Sequence, residues 1–167
     1  METYPSMPLF LETDRLLLRP WANADLEDYR ELIAERGDGT PSVEAVREKI
    51  ATQRAQTSST GIALLAMRSR TDQRFIGYCG LVVGRATLSE PEIAYELLRR
   101  ERGLGYATEA AKAVVSAAAT TGRRRLWATI RAWNAPSLHV SEKIGFHRDH
   151  STFDDRGEVV WMVRPLP

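Results

Sequence analysis

The segment that most constrains this chain is 92–120, where an apolar strand-like run passes through a short glycine loop into an alanine-rich helix. Alanine is the best helix former, and over 105–120 (GYATEAAKAVVSAAAT) it recurs at helical spacing. Ala107, Ala110, Ala111, Val114, Val115 and Ala118 form one narrow apolar stripe, and Gly122 stops the helix.

Around this unit the remaining elements follow from periodicity. Residues 13–20 read as a strand ending at Pro20. Residues 24–36 carry Leu26, Tyr29, Leu32 and Ile33 at helical spacing, with Asn23 or Asp25 as the cap. After the loop 37–41, Ser42 caps a second helix that runs to about Gln56. Three apolar runs at 62–68, 75–83 and 92–98 read as strands joined by hairpins near 71–73 and 84–86. A strand at 125–133, a short helix at 136–143 ended by Gly145, and strands near 146–153 and 157–164 complete the chain. No repeat or linker interrupts this order, which predicts a single mixed α/β domain over 1–167.

Composition removes several function classes. A net charge of +1 offers no general attraction for nucleic acid or a membrane surface, so neither is expected as a partner. The lone Cys79 excludes an intrachain disulfide. Three scattered histidines, His139, His147 and His150, give no metal-ligand spacing, and no metal is expected. The first fifteen residues lack a basic segment followed by an apolar core, and no apolar run approaches a membrane span. A cytoplasmic location is therefore expected.

The loop itself, Arg102-Gly103-Leu104-Gly105-Tyr106-Ala107, suits a phosphate. Its two glycines remove side chains where strand turns to helix. The N–H groups of 103–107 can then converge on one anion at the positive end of the helix dipole. Arg100 and Arg102 add positive charge beside it. A ligand-free glycine turn is the plain alternative. The segment is not a G-x-x-x-x-G-K-[ST] phosphate loop. With Thr108 at the third glycine position, it is not a dinucleotide fingerprint either.

That loop resembles the R/Q-x-x-G-x-G/A acyl-CoA motif of the GNAT acetyltransferase superfamily, and the continuation Thr108-Glu109-Ala110 is similar to its RimJ/RimL branch. Three further segments resemble the same branch in order and spacing. They are Thr13-Asp14-Arg15-Leu16-Leu17-Leu18-Arg19; Glu92-Ile93-Ala94-Tyr95, with Ala94 where glycine is usual; and Asn134-Ala135-Pro136-Ser137 followed by Glu142-Lys143-Ile144-Gly145-Phe146. Together the matches run from residue 13 to 146.

The resemblance implies an α+β fold with a mostly antiparallel sheet in which strands 92–98 and 125–133 run parallel and splay apart. It implies acetyl-CoA as co-substrate, bound by Arg102 to Ala107, with the pantetheine arm in the splay against the backbone of Leu97 and Leu98. A bulge there would free those groups. It implies direct transfer to an amine acceptor, with a Leu97 or Leu98 N–H serving the thioester oxygen. Glu92 is the expected general base and Glu96 its rival, since period two places both on one face. Asn134 is expected to orient the pantetheine amides.

Many members of the superfamily carry a tyrosine seven residues after that asparagine. Ser141 stands there in this chain, and Ser137 is the expected hydrogen-bond donor to the leaving thiolate. Ser137 as a mere helix cap is the plain alternative, and a non-catalytic acyl-CoA-binding domain is the alternative for the whole chain. An interaction module with an empty loop is a third class. The acceptor and the assembly, a homodimer included, are left open.

Overall fold

A computed structural model describes residues 3–167; Met1 and Glu2, the first two residues of the expected domain, lie outside it. Among the described residues there are eight strands and four α-helices. The strands are β1 (Leu11–Glu12), β2 (Leu16–Pro20), β3 (Leu64–Ser69), β4 (Phe75–Val82), β5 (Glu92–Leu97), β6 (Arg125–Arg131), β7 (His147–Asp154) and β8 (Gly157–Pro165). The helices are α1 (Leu26–Ala34), α2 (Val43–Thr60), α3 (Tyr106–Ala119) and α4 (Ala135–Lys143). One sheet takes the order β1-β2-β3-β4-β5-β6-β8-β7. Every neighbouring pair is antiparallel except β5 and β6, which run parallel.

Alternation along the strands gives the sheet two buried faces. On one, Leu16, Leu18, Leu65, Met67, Ile93 and Leu97 pack with Ala110, Ala111, Val114 and Ala118 of α3 and with Ile144 after α4. The small side chains of α3 let its axis lie close over β4 and β5. On the other face Ala66, Phe75 and Leu98 meet Trp21, Leu26, Tyr29 and Leu32 of the α1 side and Val46 and Ile50 of α2. Each large side chain so buried contributes about 1.5–3 kcal/mol.

Three local differences from the sequence reading have physical causes. The α2 helix continues to Thr60, with the hydroxyls of Thr57, Ser58 and Thr60 turned back onto the carbonyls of Gln53, Arg54 and Gln56, so that they do not compete for the helix N–H groups. A run that reads as loop thereby stays helical until Gly61, at φ +73°, ends it. The β1 strand is only two residues long, too short for any periodic signal. Asp25 does not cap α1 with its side chain. Its fully buried carboxylate accepts hydrogen bonds from Arg19, Arg68 and the Ala22 N–H. Burial pushes that carboxyl up, but the hydrogen bonds from Arg19, Arg68 and Ala22 outweigh it and hold it below its ordinary value.

Candidate active site

The parallel pair is where the sheet opens. Registered pairing between β5 and β6 is confined to Glu92↔Trp127, with the Trp127 N–H on the Pro91 carbonyl at 3.0 Å. Beyond that point β5 runs on to Leu97 and β6 to Arg131 without further pairing. The glycine loop lies at the open end of β5. Tyr95 on β5 spans to the far side, its hydroxyl donating to the Ser137 carbonyl of α4 at 2.7 Å. Burial pushes the Tyr95 hydroxyl up to about 12, so it stays a donor at neutral pH.

The β5 backbone decides which groups the gap can use. β4 and β5 pair in continuous register from Gly77↔Leu97 to Val82↔Glu92. The expected bulge near Leu97 and Leu98 is therefore absent. The irregularity lies one strand over, where Ile76 is extra between β3 and β4. The Leu98 N–H is taken by the Ile76 carbonyl at 3.0 Å, which removes it as a donor to a ligand. Alternation of the antiparallel ladder then turns the N–H groups of Leu97 and Tyr95 toward the gap. The Leu97 carbonyl accepts from Arg102 Nε at 3.1 Å, closing the loop onto the strand end.

In the loop, Gly103 and Gly105 both take left-handed φ values, +78° and +85°, which a side chain would strain. The α3 helix begins at Tyr106, and its first internal bond is from the Glu109 N–H to the Gly105 carbonyl. The six consecutive N–H groups from Gly103 to Thr108 make no hydrogen bond among the described residues. This is a concentration of donors and helix dipole with the capacity for a diphosphate. A groove of about 620 Å³ runs from Gly105 along α3, lined also by Thr13, Thr108, Glu109, Lys112 and Lys143.

The loop is braced from behind. Arg15, at the start of β2, donates to the Leu104 carbonyl at 2.9 Å and pairs with Glu109 at 2.8 Å, and its guanidinium lies 4.3 Å over the Tyr106 ring. Glu109 also accepts from Thr13 and from the Arg15 N–H. Arg74 holds the Tyr106 hydroxyl at 3.0 Å and pairs with the buried Glu101 at 2.8 Å. In the sequence, Arg15, Tyr95 and Glu109 stand out only as members of the matched segments, with no role assigned, and Arg74 is passed over. Only the two motif segments that carry Arg15 and Glu109 could have hinted at their meeting.

The two carboxylates differ. Glu92 is 5% exposed; Oε2 accepts the Arg85 N–H at 2.8 Å, and Oε1 accepts the Thr129 hydroxyl. Gly84 makes room for it, since a Cβ there would lie 1.5 Å from Oε2. Glu96 instead forms a fork with Arg36, at 2.6 and 3.0 Å. That bond raises the Arg36 guanidinium above its already high value and leaves Glu96 engaged. Glu92 lies five positions from Leu97, roughly 16 Å along an extended strand, so the two cannot both contact one reacting atom.

On α4, Asn134 is the cap: its Oδ1 accepts the Ser137 N–H at 3.3 Å. The Ser137 hydroxyl makes no hydrogen bond among the described residues. Ser141 is fully buried, with its hydroxyl on the Leu138 carbonyl at 2.7 Å. Cys79 is buried, and burial raises its thiol, which suits a core residue. Trp127 is buried, whereas Trp133 is 75% exposed just after β6. Among the described residues no helix is long and apolar enough to cross a membrane, and no cluster of three metal-ligating side chains occurs.

Residues 15–147 match the family model for an acetyltransferase (GNAT) domain. YkkB of Bacillus subtilis (strain 168) is 29% identical over 145 residues, covering 82% of this chain and 84% of that protein. The acetyltransferase from Agrobacterium tumefaciens str. C58 is 27% identical, with a TM-score of 0.78 over 98% of both chains. RimL, the ribosomal L7/L12 α-N-protein acetyltransferase solved in complex with coenzyme A, shares the fold. Its TM-score is 0.81 at 15% identity, covering 94% of this chain and 98% of that one.

Proposed function

The chain belongs to the GNAT acetyltransferase family, and from that premise we propose that it moves an acetyl group from acetyl-CoA to a primary amine by direct transfer in a ternary complex, within the RimJ/RimL-like branch. The observation that carries this reading is the run of six free N–H groups from Gly103 to Thr108 at the open end of the splayed pair. These groups, with Arg102, hold the pyrophosphate, and Lys112 and Lys143 face the more distant phosphate along the groove. The gap-side backbone at Leu97 and the free amide NH2 of Asn134 position the pantetheine arm.

Acetyl-CoA, when bound, supplies the activated thioester. Ser137 is level with Tyr95, because the Tyr95 hydroxyl reaches its carbonyl. The Tyr95 N–H is therefore the β5 donor best placed for the thioester oxygen, in place of Leu98 and nearer the reaction than Leu97. Glu92 takes the ammonium proton through water, since it lies three positions, about 10 Å of extended strand, from Tyr95. The amine nitrogen then bonds to the carbonyl carbon as the carbon–sulfur bond breaks. Ser137 donates a hydrogen bond to the departing thiolate, which takes up the second proton of the amine nitrogen and leaves as free thiol. Holding both reactants in this geometry supplies much of the rate.

A second reading, a non-catalytic acyl-CoA-binding domain, is favoured by one observation. The residue at the usual tyrosine position, Ser141, has its hydroxyl committed to Leu138. Initial rates over both substrates decide between them. Ternary-complex transfer gives intersecting double-reciprocal lines, a covalent acetyl-enzyme gives parallel ones, and a binding domain gives CoA affinity without turnover.

A further inference from the structure

We infer that Arg15 is a positioning residue for the cofactor loop, one that aims the phosphate-facing N–H groups from the opposite side without touching the phosphate. The inference rests on the loop assignment under Proposed function. A trans peptide is planar, so its C=O and the following N–H point in opposite directions. Arg15 NH1 holds the Leu104 carbonyl at 2.9 Å and thereby directs the Gly105 N–H to the other side, toward the ligand.

The same guanidinium fixes the next residue. It lies 4.3 Å over the Tyr106 ring, whose hydroxyl is held by Arg74 at 3.0 Å. The ring is thus held at its face and at its tip, and the first residue of α3 has little freedom to rotate. The carboxylate of Glu109 in turn fixes Arg15. It accepts Arg15 Nε at 2.8 Å, the Arg15 N–H at 3.0 Å and the Thr13 hydroxyl. Burial pushes the Glu109 carboxyl up, but the hydrogen bonds from Thr13 and Arg15 outweigh it, and the charged form is the one present at neutral pH.

Gly105 belongs to the same device, because a Cβ there would lie 3.3 Å from Arg15 NH2. A flexible glycine pair would otherwise have to be ordered by the ligand, at the expense of affinity. Arg15 does that ordering in advance. Lysine cannot replace it, since an ammonium lacks the planar fork that reaches Leu104 and Glu109 together.

The test compares wild type, Arg15→Ala, Arg15→Lys and Glu109→Gln by two measurements. The first is CoA affinity by calorimetry. The second is the backbone amide order parameters of Gly103–Thr108 in the free protein, from nitrogen-15 relaxation. The expected result for Arg15→Ala is CoA binding weakened about tenfold, the equivalent of one strong hydrogen bond. Its loop order parameters fall, while those of Ala110–Ala118 keep the wild-type values. Arg15→Lys and Glu109→Gln fall on the same side, and they carry the test if the alanine variant does not fold. Unchanged affinity and order parameters in folded variants overturn the inference. Weakened affinity with unchanged loop order parameters also overturns it, because Arg15 then contacts the phosphate itself. Wild-type protein that binds no CoA refutes the loop assignment instead, and the order-parameter comparison still decides whether Arg15 orders the loop.

Discussion

Replacing Gly105 by glutamate places a negative side chain where the loop presents its donors. Gly105 sits at φ +85°, and a residue with a Cβ loses roughly 1–2 kcal/mol in that region. The Cβ itself meets Arg15 NH2 at 3.3 Å, a contact that a small shift of the guanidinium relieves. The larger effect is electrostatic. Two like unit charges about 4 Å apart at an effective dielectric constant near 20 repel by about 4 kcal/mol. At about 1.4 kcal/mol per decade, CoA binding weakens roughly a thousandfold. Gly105→Ala carries the backbone strain without the charge, so it loses stability by about 1–2 kcal/mol and keeps CoA affinity within about tenfold. Calorimetric titration with CoA, on preparations whose melting temperatures are recorded, separates the two contributions. A folded Gly105→Glu protein with wild-type affinity for CoA would refute the loop assignment.

Ser137→Ala should lower kcat with CoA affinity and melting temperature nearly unchanged, because Asn134 already caps α4; a stability loss with intact turnover would return Ser137 to a structural role. Ser141→Ala removes a buried bond to Leu138, so it should cost about 1 kcal/mol of stability and less kcat than Ser137→Ala; the reverse order of kcat losses contradicts the assignment of the donor. Glu92→Gln should slow turnover by ~10²–10⁴ near neutral pH and recover in part at high pH, where the amine is already deprotonated; finding that behaviour in Glu96→Gln instead would move the base to the Arg36-bound carboxylate. Asp25→Asn breaks a buried ion pair and should cost about 3–5 kcal/mol in urea unfolding. Because the folded carboxyl of Asp25 lies below 3.8, its stabilisation is present above that pH and is lost as pH falls through the lower folded value, and an unchanged acid limb in Asp25→Asn would contradict this.

The fold was legible because its elements are periodic. Alanine and valine spacing marks α3, the apolar runs mark β3, β4 and β5, and Ser42 caps α2 as its sequence suggests. The parallel splayed pair came from the resemblance, and the single register pair Glu92↔Trp127 agrees with it. What escaped were features made by contacts distant in sequence. Nothing in Glu92 itself foretells that Thr129, Arg85 and a missing Cβ at Gly84 will enclose its carboxylate. The reach of Tyr95 to Ser137 crosses the gap between two strands, and Arg15 meets Glu109 across 94 residues. The expected bulge failed for a related reason. Strand period describes which face a residue occupies, not whether its N–H is taken, and the Leu98 N–H is taken by Ile76.

The most direct test of the account is release of free thiol from acetyl-CoA, followed against a panel of primary amines that includes peptide N-termini, amino acids, polyamines and aminoglycosides. Wild-type protein and Gly105→Glu are run side by side. The account predicts that thiol appears only when an accepted amine is present, in equal amount with the acetylated amine, and that the variant releases none above background. Thiol release without amine, or saturable CoA binding with no release across the whole panel, would contradict direct transfer from a loop-bound acetyl-CoA.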